Sequence, residues 1–110
     1  MNRPRLTILA PLALLLAAAA AHAAPKRVTV TIDNLRYAPQ EVTVDVGDTV
    51  VWTNNDDREH TVTADDGAFS SGRLKPGGTF TWTASAPGRH QYGSDPFPRA
   101  RGVVLVREKK

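Results

Sequence analysis

From Arg27 onward the chain alternates apolar and polar residues with a period of two, in short runs broken by turn-forming residues. That period gives a strand one face to bury and one to wet, whereas an amphipathic helix repeats its apolar positions every three or four residues. Val28, Val30 and Ile32 share a face, with Thr29 and Thr31 opposite. Val42, Val44 and Val46 repeat the pattern; Gly47-Asp48 then supplies turn chemistry before Val50 and Trp52, which predicts a hairpin over residues 41–54. His60, Val62 and Ala64 are in phase and are closed by Asp65-Asp66-Gly67. Phe80, Trp82 and Ala84 follow, bracketed by Pro76-Gly77-Gly78 and Pro87-Gly88, and runs over 89–94 and 102–108 complete the set. About seven short strands without a helical period predict an all-β domain over residues 24–110, an antiparallel Greek-key sandwich.

Upstream the composition changes. Arg3 and Arg5 make a positive start, Leu6 to Ala20 is almost unbroken apolar, and small residues follow, the pattern of an export signal. The apolar core of about 15 residues, interrupted by Pro11, is shorter than the roughly 20 a membrane helix needs. Residues 1–23 are therefore expected to be a signal peptide cleaved after Ala23, with a periplasmic or secreted destination. Cleavage after Ala21 is also permitted and would leave an N-terminal His22, whose amine and imidazole can chelate Cu(II). Losing Arg3 and Arg5 lowers the formal net charge from +3 to +1, and the remaining charges are interspersed. Neither a nucleic-acid surface nor, after signal removal, a membrane span is expected. The chain has no cysteine and its one methionine is Met1, so the mature domain has no sulfur ligand and no disulfide, and packing must stabilise it.

Phase predicts one juxtaposition. His60 opens its strand on the inward face and Ser94 closes its own in phase with His90 and Tyr92. If the two strands are antiparallel neighbours, His60 and Ser94 meet at one pole. His90 lies four residues back, about 13 Å along the strand, and is expected in the core rather than beside His60.

Three stretches resemble the cupredoxins, the blue-copper family of plastocyanin, amicyanin and pseudoazurin: Tyr37-x-Pro39 with Val42-x-Val44-x-x-Gly47-Asp48-Thr49-Val50-x-Trp52-x-Asn54; Asn55-Asp56 leading to His60-Thr61-Val62; and Gly88 to Gly102. The resemblance implies that His60 stands at the first copper histidine. It also implies that Ser94 stands at the cysteine, Phe97 at the second histidine and Ala100 at the methionine, because Gly88, Tyr92, Pro98 and Gly102 fit the family spacing without a gap. Three of four ligand positions are then lost. A serine hydroxyl is a poor ligand for Cu(I), and phenylalanine and alanine offer no lone pair. Phe97 is expected to fill the space as an apolar plug, since an empty site would cost about 24 cal/mol per Å³ of cavity. Arg99 and Arg101 fall in the loop that docks redox partners in the family, which makes them candidate contacts for an acidic partner.

The expected function is that of an exported, periplasmic cupredoxin-fold protein without a type 1 copper site, acting as a binding or interaction module for an unknown periplasmic partner. No cofactor is expected. The alternative is a copper-binding electron-transfer protein with a non-thiolate site, in which His60 is the one retained metal position, completed by Asp95 or a water. Ser94 beside His60, with Asp95 next, also invites a serine-nucleophile reading, but no Gly-x-Ser-x-Gly elbow or oxyanion donor is identifiable, so no enzyme is expected.

Overall fold

In the computed structural model, which describes residues 24–108, the alternating segments form strands because their valines, isoleucines and threonines fit a half-buried pleated surface. The expected signal peptide, with His22, lies outside the described residues. In chain order the strands are β1 (Arg27–Asp33), β2 (Arg36–Ala38), β3 (Glu41–Asp45), β4 (Thr49–Asn54), β5 (Thr63–Ala64), β6 (Thr79–Thr83), β7 (Gly88–Ser94) and β8 (Phe97–Arg107). They build two four-stranded sheets, ordered β2-β1-β4-β6 and β3-β8-β7-β5. Val30, Ile32, Val50 and Trp52 of one sheet meet Val42, Val44, Tyr92, Val104 and Val106 of the other in a single core. Each fully buried Val or Ile there contributes about 1.5–3 kcal/mol.

The sandwich is as expected, but its strand directions differ in detail. β1 runs parallel to β4 and β3 parallel to β8, so both sheets are mixed. Glu41–Asn54 is not a hairpin: β3 lies in one sheet and β4 in the other, and residues 46–48 carry the chain across the sandwich. Gly47 adopts φ 99°, which the crossing requires. Asp48 is buried and anchors the corner, its carboxylate accepting the backbone N–H of Lys26 (2.8 Å) and of Asp45 (2.9 Å). Its backbone joins Ala84 N–H (2.8 Å) just past β6. Gly-Asp chemistry suits a sheet-to-sheet arch as well as a hairpin, so the local signal left the partner open.

Two features position the pole described next. The β7–β8 connection is a tight turn at Asp95-Pro96, with Ser94 opposite Phe97 and a register irregularity at Gly93/Ser94. Arg99 and Arg101, expected in a loop, therefore lie within β8. On the neighbouring pair Tyr92–Gly102, a Cβ at Gly102 would sit 2.4 Å from the Tyr92 ring and hydroxyl, so only glycine lets that ring lie across β8 into the core. Phe69 and Leu74, in the long β5–β6 connection, are core residues without any periodic sequence signal; Phe69 packs on Trp52, Trp82 and Tyr92 at ring separations of 5.3, 4.7 and 5.8 Å.

Candidate functional site

The segment between β4 and β5 is shaped by polar side chains bonding to their own backbone. Asn54, fully buried at the end of β4, donates through Nδ2 to Arg58 O and Leu74 O, both at 2.8 Å, and accepts the Asp56 N–H at 3.0 Å. This tight loop brings Asp56 back over His60, which is held by reciprocal backbone bonds with Leu74 (3.1 and 2.7 Å) and is fully buried.

His60 is bracketed. Its Nε2 lies 3.0 Å from Asp56 Oδ2 and its Nδ1 3.0 Å from Ser94 Oγ. An ionised carboxylate only accepts, so Nε2 carries the proton and the Nδ1 lone pair accepts the Ser94 hydroxyl. Ser94 Oγ in turn accepts the Thr61 N–H at 3.2 Å. Phase reasoning placed His60 and Ser94 together, and they are. The carboxylate at His60 is Asp56, four residues before it, whereas Asp95 accepts from Thr63 Oγ1 (3.2 Å) and its N–H donates to Thr61 Oγ1 (2.9 Å). Sequence reasoning missed Asp56; the Asn54-Asn55-Asp56 cluster, rich in turn-forming polar residues, was the available signal.

Phe97 sits with its ring 5.0 Å from the His60 imidazole, and the Arg58 guanidinium carbon lies over the Phe97 ring, 5.9 Å from its centroid. Ala100 is buried beneath. Outside this pair, Leu35, Pro96, Pro98 and Arg99 complete an apolar groove of about 270 Å³ with Phe97 and Ala100. Leu35 is the exposed large hydrophobic residue among the described ones, at 39%. It occupies the second position of the two-residue β1–β2 turn at φ 60°, after Asn34 at φ 53°. Such turns want glycine there, and a leucine in the left-handed region costs about 1–2 kcal/mol. Leu35 N–H donates to Asp56 Oδ2 (2.9 Å), which ties the tip to the histidine. Burial acts to raise the Asp56 carboxyl, but the bonds from the Leu35 amide, His60 and the Asp57 amide outweigh it and hold the group at about 2.

Residues 6–106 match the family described as Cupredoxin-like domain. The chain belongs to the cupredoxin family. This cupredoxin is 31% identical to amicyanin of Paracoccus denitrificans over 93 residues, covering 80% of this chain and 71% of that protein. Amicyanin of Paracoccus versutus shares 31% over the same length, covering 80% and 70%. Among solved structures, a mutant amicyanin in its Cu(I) form aligns with a TM-score of 0.70 and 30% identity, over 80% of this chain and 89% of that one. A purple cupredoxin from Nitrosopumilus maritimus aligns at 0.67 and 26%, over 73% of this chain and 99% of that one.

The remaining sequence candidates of this cupredoxin are spread out. Arg101 is turned to Asp65, with Nη2 at 2.5 Å from its carboxylate, and that bond raises the already high guanidinium pKa. Arg99 is exposed, and its side chain has no ion pair or hydrogen bond among the described residues. His90 is a core residue at the other end of β7, Nδ1 2.6 Å from Asp66 Oδ2 and Nε2 2.8 Å from Ala86 O. Among the described residues no helix is long and apolar enough to cross a membrane.

Proposed function

We propose that this cupredoxin is an exported, periplasmic binding module that works without a type 1 copper site. The observation that carries the reading is the Ser94 hydroxyl at 3.0 Å from His60 Nδ1. The imidazole lone pair that faces the former ligand positions is already used. The donor set does not fit type 1 copper: the four aligned positions offer one imidazole, one protonated hydroxyl, a phenyl ring and a methyl group, and the chain has no thiolate to supply. Phe97 against His60 supports the apolar-plug expectation. The leader-like composition of residues 1–23 supports export.

A catalytic role is not part of this reading. Asp56, His60 and Ser94 are linked in the order carboxylate, imidazole, hydroxyl, which resembles a hydrolase relay. Ser94 is only 3% exposed, however, and its oxygen is capped by the Thr61 N–H, so a substrate carbonyl has no approach to it.

What remains for function at this pole is its outer surface. The Leu35–Phe97 groove, rimmed by Arg58 and Arg99, fits a partner segment that presents an apolar side chain beside a carboxylate. A leucine kept exposed at a turn position that disfavours it supports a selected role for that tip. The test is a calorimetric Cu(II) and Cu(I) titration of the mature protein with the visible spectrum recorded, alongside His60→Ala. Negligible binding of both ions is expected. Tight one-to-one binding that disappears in His60→Ala would overturn the reading in favour of copper-based electron transfer at a non-thiolate site.

A further inference from the structure

The arginines divide into two groups. Arg58, Arg73, Arg89, Arg101 and Arg107 each lie within 4.0 Å of a carboxylate oxygen. Arg27, Arg36 and Arg99 have no such partner among the described residues, and two of these three, Arg36 and Arg99, line the same cleft. That cleft lies between β2 and β8, beside the His60 pole, with a volume of about 510 Å³. It is large enough for a metabolite-sized ligand. Tyr37, Ala38, Pro39, Ala100 and Arg101 complete its wall, with Gln40 and Asp33 at the polar positions; Arg101 is already paired with Asp65.

The wall is built to stay in place. The Tyr37 hydroxyl donates to Thr61 O at 2.6 Å, and Gln40 Nε2 reaches the Arg101 carbonyl at 3.3 Å, linking the segment after β2 to β8. The two guanidinium groups are therefore mounted on strands whose spacing is fixed, each with its planar set of N–H donors unspent. Guanidinium forks of this kind match the oxygens of carboxylates and phosphates. Asp33 is the acid in the lining, and it opposes a bare anion while offering an acceptor to a hydroxyl or ammonium on the same ligand.

We infer that the β2–β8 cleft is a binding site for a small carboxylate- or phosphate-bearing ligand, held by Arg36 and Arg99. The concave shape favours a free small molecule over a flat protein face. This inference does not depend on the copper-free reading, since neither Arg36 nor Arg99 contacts His60 or Ser94.

The experiment follows backbone amide shifts of the full mature domain while inorganic phosphate, and separately citrate, is added at constant ionic strength. Saturable shifts are expected at residues 36–38, 40 and 99–101. They should weaken about tenfold in Arg36→Ala or Arg99→Ala, the loss of one charge-assisted contact of about 1.4 kcal/mol. Asp33→Asn should tighten binding by removing the opposing charge. Arg89→Ala, which removes an arginine paired with Glu41 in a neighbouring groove, should change nothing. Shifts that never saturate, or that survive in the double Arg36→Ala/Arg99→Ala variant, overturn the site and mark the effect as general screening. All four side chains changed are solvent-exposed, so folding is not at stake.

Discussion

Two buried histidines, one toward each end of the sandwich, solve the same problem differently. His60 sits between a carboxylate and a hydroxyl, so one nitrogen donates and the other accepts, and the ring is satisfied with a single proton. His90 sits between the Asp66 carboxylate and the Ala86 carbonyl, two acceptors, so both of its nitrogens are called on to donate. The surroundings differ as well. Asp56 is mostly covered, with 9% of its side chain exposed, whereas Asp66 is 49% exposed. A buried histidine is thus no single kind of residue; its partners decide whether it is a sealed joint or a tether to a wet carboxylate.

The sharpest way to break this comparison is to truncate both rings. His60→Ala should cost about 3–4 kcal/mol, because it opens a cavity and leaves the Ser94 hydroxyl and Asp56 without their partner in a covered site. His90→Ala should cost about half that, because Asp66 turns to water. Urea unfolding of the two variants checks the order, and equal losses would show that partner exposure does not set the cost. Smaller is the effect of acid. Asp56 is held at about 2, below the ordinary carboxylate value near 3.9, so its contribution is complete above about pH 4 and is lost as pH falls toward 2. Asp66 is lowered in the same direction, by the Ala68 amide first and His90 second. Asp56→Asn should flatten the acid limb of stability against pH more than Asp66→Asn, read from unfolding midpoints between pH 5 and 2. The smallest change has the opposite sign: Leu35→Gly should raise stability by about 1 kcal/mol, seen as a higher Tm, by relieving the left-handed leucine. A fall in Tm would mean that Leu35 packs against Phe97 strongly enough to offset its backbone cost.

Much of this arrangement was legible before any coordinates. Alternation identified the faces of β1, β3, β4 and β7, and carrying the phase along them put Ser94 at His60. What stayed hidden has physical reasons. Gly47-Asp48 dictates a change of direction and not a partner, so an arch between sheets read as a hairpin. Phe69 and Leu74 sit in irregular backbone, where burial leaves no period behind. Asp56 reaches His60 only because Asn54 folds the loop with its amide, a dependence that spacing alone does not express. Arg36 and Arg99 are far apart in sequence and line one cleft from β2 and β8, and no local pattern encodes that sharing.

The corner carboxylate of Asp48 reaches back to the amide of Lys26, and Thr49 N–H returns a bond to the Lys26 carbonyl (2.9 Å). Among the described residues the first structural rivet is therefore at Lys26, with Ala24 and Pro25 outside it and exposed. On the proposal that residues 1–23 are an export leader, a cut a few residues earlier or later upstream of Pro25 leaves both Lys26 bonds in place. Trimming of such a leader would thus leave the β1–β4 pairing of the described domain as it is.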